Sequence, residues 1–197
     1  MAYTKAVITD PYYDQPKWMP NEVRRKPYLC LSSEASSQDV ELFLTHLLGY
    51  MNISVDHSME HSLQELFEQE HVAISGGVAF FEDEQTYILP SCCCGLEDYP
   101  EIVATIGNKQ SPWLGHDPSP ELTYTNHQVY VWPDEPTGSE SQSNCIAFSY
   151  EELQESLATT SQEIIGFIEG PLDRWIRQEN AALAETMKEK MKQWILK

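Results

Sequence analysis

Between Tyr28 and Asp173 the chain carries 25 acidic residues and a single cation, Lys109. The flanks are different: Met1 to Pro27 holds five bases against three acids, and Arg174 to Lys197 holds six against three. The central stretch therefore cannot neutralise itself through ion pairs, and a large negative potential must remain at its surface. Such a field repels nucleic-acid backbone and anionic membranes, and it speeds encounter with a basic protein. Whatever the chain folds into, the net charge of −19 has to be carried on the outside.

The rest of the composition is that of a globular protein rather than a disordered one, with 41% hydrophobic and 22% charged residues. At 197 residues the chain fits a single domain spanning 1–197, large enough to fold without metals or disulfides. The five cysteines, Cys30, Cys92, Cys93, Cys94 and Cys145, are an odd set with three adjacent members, which is a poor disulfide framework. No apolar run approaches the roughly 18–20 residues needed to cross a bilayer. The first ten residues lack the long hydrophobic region of a signal peptide, so a cytoplasmic location with reduced thiols is expected.

Local patterns predict an α+β fold. Lys5–Thr9 and Tyr28–Leu31 read as strands separated by a proline-bearing loop. Ser36 followed by Asp39 opens an amphipathic helix with Val40, Phe43, Leu44, Leu47, Leu48 and Met51 at helical spacing, and a second helix starts at Ser58. Val72–Ser75 and Val78–Phe81 flank Gly76-Gly77, which reads as a tight turn or a bulge within one strand. The acidic turn Glu82–Gln85 then leads into Thr86–Leu89 as a hairpin. Leu122–Thr125 and Gln128–Trp132 make a second hairpin, and Cys145–Phe148 a further strand after a polar loop from Pro133 to Asn144. An antiparallel sheet of about five strands follows, with amphipathic helices before and after it in sequence.

Capping boxes at Ser149/Glu152 and Thr160/Glu163 suggest two successive helices after the strands, and Gly170-Pro171 is expected to break or kink the apolar stripe. The region from about 172 to 197 reads as a basic amphipathic helix. Leu183, Met187, Met191, Trp194 and Ile195 lie on one face of it, and Met187, Met191 and Trp194 are the expected contacts for self-association as a homodimer.

Chemistry-bearing motifs are sparse. There is no phosphate loop, dinucleotide glycine motif, HExxH helix or glycine-flanked serine. Adjacent residues splay apart on extended backbone, so a zinc ion at the cysteine triplet would take Cys92 and Cys94, completed by His116 and Cys30 or Cys145. The Trp113–Pro120 loop pairs His116 with Asp117, but neighbouring side chains diverge. His116 is therefore read as bridging backbone groups while Trp113 packs below, and a nucleophilic pair of Cys93 with His116 is the formal enzymatic alternative. No catalytic residue, metal or cofactor is expected. The candidate partner-binding residues are Glu82, Asp83 and Glu84 at one turn, Glu97 and Asp98 after the cysteines with Tyr99 as an aromatic anchor, and Asp134 and Glu135 in the long loop.

The run Gly76-Gly-Val-Ala-Phe-Phe81, Leu89-Pro-Ser-Cys-Cys-Cys-Gly-Leu96, Trp113-Leu-Gly-His-Asp-Pro118 and Val129-Tyr-Val-Trp132 resembles small uncharacterised bacterial proteins of the immunity type associated with polymorphic toxins. The resemblance covers roughly Ser75 to Asp134. It implies an intracellular antitoxin-like protein that neutralises a basic toxin or nuclease by occluding it, and it transfers no site residues. The alternatives are a zinc- or thiol-dependent enzyme centred on Cys92–Cys94, and a nucleic-acid mimic that inhibits a DNA-binding protein. Direct binding of nucleic acid or membrane is not expected.

Overall fold

The computed structural model describes residues 1–136 and 145–197. The strands are β1 (Tyr3–Thr9), β2 (Tyr28–Cys30), β3 (Gly76–Phe81), β4 (Tyr87–Ile88), β5 (Glu121–Tyr124), β6 (Gln128–Trp132) and β7 (Ile146–Ser149). The helices are α1 (Ser37–Tyr50), α2 (Met59–Phe67), α3 (Tyr99–Gly107), α4 (Tyr150–Phe167), α5 (Asp173–Arg177) and α6 (Ala181–Leu196). The fold is α+β, but the strands form two antiparallel sheets, β2-β1-β3-β4 and β5-β6-β7, in place of the single sheet of about five strands. Both hairpins form as their turns predict. Which hairpin joins which sheet depends on pairing between distant segments, and local patterns do not encode that.

The chain expected as one domain divides into two compact units that are interleaved in sequence. Unit 1 comprises Met1–Val7 and Ser75–Gln162, and unit 2 comprises Ile8–Ile74 and Glu163–Lys197. No helix among the described residues is long and apolar enough to cross a membrane.

Within unit 1, β6 is the middle strand of the three-stranded sheet, placing Val129 opposite Tyr124 and Phe148, and Val131 opposite Leu122 and Ile146. All of these but the half-buried Tyr124 are buried, as period-two alternation requires of one sheet face. Phe80 of β3 meets Phe148 edge-on with ring centroids 6.2 Å apart. α4 starts with the predicted capping box, in which the Ser149 N–H donates to the Glu152 carboxylate at 2.8 Å and the Glu152 N–H donates to Ser149 Oγ at 3.1 Å. The second capping box is not a helix start. Thr160 lies inside α4, where its hydroxyl donates to the Ser156 and Thr4 carbonyls, each at 3.0 Å, and so ties β1 to the helix.

Sequence periodicity missed α3. Pro100 in its first turn and Ile102 and Ile106 one turn apart were the available signals. Gly76 and Gly77 are not a turn: they open β3 at φ of 148° and 142°. A Cβ on Gly77 would stand 3.0 Å from Cys94 Sγ, so the glycine lets the cysteine segment pass closely.

Within unit 2, α1 opens on the Ser36/Asp39 capping box. It is not amphipathic in its surroundings, because every residue from Val40 to Leu48 is buried, as befits a helix at the centre of a core. Phe43 packs edge-on against Phe167 at 5.0 Å. The Gly170-Pro171 step neither breaks nor ends the helix. Ile168–Leu172 widens into a π-helical turn, which accommodates the missing proline N–H, and helical backbone resumes in α5.

α6 is capped by Asn180, whose side chain accepts from the Ala182 and Leu183 N–H groups. Leu183, Met187, Met191, Trp194 and Ile195 are buried within the chain, so the face expected to drive homodimerisation is already covered. Its lysines are engaged too. Lys188 pairs with Glu185 at 2.8 Å, Lys192 with Glu169 at 2.6 Å, and Arg177 reaches both Asp173 and Glu185.

Candidate functional site

Two loops of unit 1 gather the cysteine triplet and His116. The backbone holds them together: the Ser91 N–H donates to Leu114 O at 2.7 Å, the His116 N–H donates to Cys92 O at 3.2 Å, and Cys92 and His116 form an antiparallel bridge. Gly115 makes this approach possible. Its φ is 98°, and a Cβ there would lie 2.6 Å from both the Ser91 carbonyl carbon and the Cys92 oxygen. The Ser91 hydroxyl adds a bond to His116 O at 3.0 Å, and the Trp113 indole N–H donates to Cys93 O at 3.4 Å. Trp113 does not pack beneath the loop as expected, because 57% of it is exposed.

This frame reverses the expected use of the triplet. Cys93 adopts the left-handed conformation at φ 67°, so the backbone is not extended, and neighbouring side chains no longer splay apart. Cys92, Cys93 and His116 place their ligand atoms within 4.8 Å of one another, all three on the surface. Cys92 Sγ lies 3.4 Å from Nδ1 and 3.7 Å from Nε2 of His116, and it donates to His116 O at 2.9 Å. Asp117 Oδ2 is 3.1 Å from His116 Nδ1. Cys94 turns inward and is buried; burial, reinforced by Asp98 and Glu97, pushes its thiol up to about 12. Loss of solvent, and then the neighbouring Cys93, raise the Cys92 thiol above its ordinary value, against a counteracting hydrogen bond with the His116 backbone. A thiol moved in that direction is not an activated nucleophile.

A second group with ligand character, His57, His61 and Glu65, lies on and just before α2 in unit 2. It contains no thiol, and the two imidazoles are 4.2 Å apart centroid to centroid.

The acidic residues read from the sequence all fall in unit 1. Glu82, Asp83 and Glu84 are exposed in the β3–β4 turn. Asp83 also builds that turn: its carboxylate accepts from the Gln85 and Thr86 N–H groups at 2.8 Å each, which holds it below the usual carboxylate range. Asp98 accepts from the Gly95 N–H at 3.4 Å, and Asp134 accepts from the Ser119 and Glu135 N–H groups at 2.9 Å each. Glu97 is half-buried and Glu135 exposed.

Tyr99 is no anchor. It is 4% exposed, and its hydroxyl donates to Leu157 O at 2.7 Å, because α3 uses the ring to pack on α4. The exposed aromatics of unit 1 are Trp113 and Tyr87, the latter 40% exposed on β4 directly after the acidic turn. Tyr87 escaped notice because a strand pattern does not say which face meets solvent. The clustering of Cys93 with Cys92 depends on a left-handed backbone that a non-glycine residue does not announce. Compared with known proteins, the chain matches no protein-family model, no curated protein and no solved structure.

Proposed function

We propose that the chain is an acidic binding protein whose unit 1 docks a basic protein partner, most concretely an immunity-type protein that covers the cationic surface of a toxin or nuclease. One observation carries this reading: unit 1 contains fourteen carboxylates and only two full cations, Lys5 and Lys109, a net of −12, against −7 for unit 2. Both of those cations stand over aromatic rings, Lys5 over Tyr3 at 5.9 Å and Lys109 over Tyr150 at 4.2 Å. The ion pairs Lys17–Asp56, Lys26–Asp39, Arg177–Asp173, Lys188–Glu185 and Lys192–Glu169 all belong to unit 2. A field of one sign, little relieved by counter-charges, attracts a basic surface and accelerates its arrival.

The β3–β4 turn is the part of unit 1 best suited to make first contact. Glu82 and Glu84 are exposed at its tip, and Tyr87 beside them offers an amphipathic ring of the kind enriched at interface centres. The test is a stopped-flow measurement of association with a basic protein captured by the chain at low salt. The association rate is expected to fall roughly tenfold or more between low and physiological salt. The double variant Glu82→Lys, Glu84→Lys should slow it further while leaving the circular dichroism unchanged. Association that ignores both salt and the charge reversal would remove this surface from consideration.

A further inference from the structure

We propose that Cys92, Cys93 and His116 form a binding site for a thiophilic divalent ion, zinc(II), with Asp117 orienting the imidazole and the fourth coordination position facing solvent. This site is independent of the docking surface, and either can fail without the other.

The donor set comes first. Two sulfurs and one imidazole nitrogen are the ligands that zinc takes in tetrahedral protein sites, and magnesium and calcium prefer oxygen. Spacing comes second. With Zn–S bonds of about 2.3 Å and Zn–N bonds of about 2.0 Å at tetrahedral angles, a shared ion holds sulfur and nitrogen about 3.5 Å apart. Cys92 Sγ and His116 Nε2 already stand 3.7 Å apart, and Cys93 Sγ falls within the same 4.8 Å cluster.

Orientation is the third argument. Asp117 Oδ2 lies 3.1 Å from His116 Nδ1, so a proton on Nδ1 is donated to the carboxylate and Nε2 is left as the ligand atom. Cys92 Sγ, 3.4 Å from Nδ1 and 3.7 Å from Nε2, lies beside the ring, and the imidazole turns to aim that lone pair at a shared ion. Metal-binding histidines usually have this carboxylate partner on the far nitrogen, which fixes the tautomer and raises ligand basicity. The frame supporting the donors is backbone, from the Ser91–Leu114 and His116–Cys92 hydrogen bonds to the left-handed Cys93 and the glycine at 115. The backbone therefore holds the donors close together before an ion arrives, and binding requires the His116 ring to turn. Binding replaces the two thiol protons, which are released to solvent, and ends the Cys92 bond to the His116 carbonyl. Cys94 is excluded because it is buried and turned toward Gly77 and the Trp113 carbonyl.

The test uses the full chain, reduced and stripped of metal, titrated with cobalt(II) as a spectroscopic probe and then with zinc(II). A single equivalent of cobalt should give the near-ultraviolet thiolate-to-cobalt charge-transfer band and the intense visible bands of tetrahedral geometry, and zinc should bleach both. Cys92→Ser, Cys93→Ser and His116→Ala lie on the surface and should abolish the charge-transfer band with unchanged circular dichroism, whereas Cys30→Ser and Cys145→Ser should leave it intact. Asp117→Asn should keep the spectrum and weaken zinc binding about ten- to a hundredfold, the usual effect of losing an orienting partner. Cobalt taken up only by His57, His61 and Glu65 would show no thiolate band. That outcome overturns the proposal, as does a thiolate band that survives loss of both Cys93 and His116.

Discussion

Gly115 is the residue on which the geometry of the two-loop frame turns. Its φ of 98° disfavours any side chain, and a Cβ would press into the Ser91–Cys92 backbone at 2.6 Å. Gly115→Ala is expected to cost about 1–3 kcal/mol, because both the strain and the clash fall on backbone that cannot yield as a side chain can. A urea melt of the variant checks this, and an unchanged midpoint would show that the two loops are free to separate. The same residues mark how far sequence could reach. His116 and Asp117 were legible as candidates, but their side chains, expected to diverge, meet at 3.1 Å, and the acids of the β3–β4 turn were legible as a cluster. The choice of Cys93 over Cys94 as companion to Cys92 was not, because it depends on one left-handed residue. Tyr99 shows the converse: an aromatic beside two acids looks like a surface anchor until the helix that starts with it turns the ring inward.

Among the elements, whatever was written in adjacent residues was readable. The Ser36, Ser58 and Ser149 caps and the two hairpins fall where their turn and capping residues place them. Thr160 carried the same signature as Ser149 yet serves mid-helix, because its hydroxyl found a better use against the Thr4 carbonyl of β1, 156 residues away in sequence. The partition into two sheets escaped for the same reason, since it is decided by pairings that no local window contains.

The α4 cap also sets a pH dependence. The Ser149 backbone N–H, and then its hydroxyl, hold the Glu152 carboxyl below its ordinary value. A depressed carboxylate stabilises the fold above its unfolded pKa, and that contribution disappears as pH falls through the lower, folded value. Glu152→Gln should therefore melt below the parent protein at neutral pH, and the gap should narrow on acidification to about pH 3. A gap that stays constant with pH would show that the carboxylate charge contributes nothing to the cap.

At the scale of the molecule, charge is partitioned less sharply than the sequence segments alone suggested, because unit 2 joins acids of the central stretch to the basic flanks and still keeps a net of −7 against −12 for unit 1. Arg177, Lys188 and Lys192 of the C-terminal region pair inside unit 2, and unit 1 is left with fourteen of the 31 carboxylates against two cations. The C-terminal helix, read from the sequence as a basic amphipathic helix with a face for self-association, is part of a core. Removing Asn180–Lys197 would uncover the packing partners of Leu183, Met187, Met191 and Ile195, a loss comparable with the roughly 5–15 kcal/mol that holds a whole domain folded. The truncated chain is expected to lose cooperative unfolding and to be cleaved rapidly by added protease. Retention of a sharp melt would show that α6 is an accessory.

The interleaving of the two units has a consequence for biosynthesis. A ribosome that has reached Gln162 has made every residue of unit 1, whereas unit 2 still lacks Glu163–Lys197. During that interval α1, a helix whose residues Val40–Leu48 are all destined for the interior, has been made without Phe167, Ile168 or Leu172 to cover it. The nascent chain therefore carries an unsheltered greasy helix until those covering residues have been made, and their late arrival relative to α1 makes this interval a point of exposure to aggregation or chaperone capture.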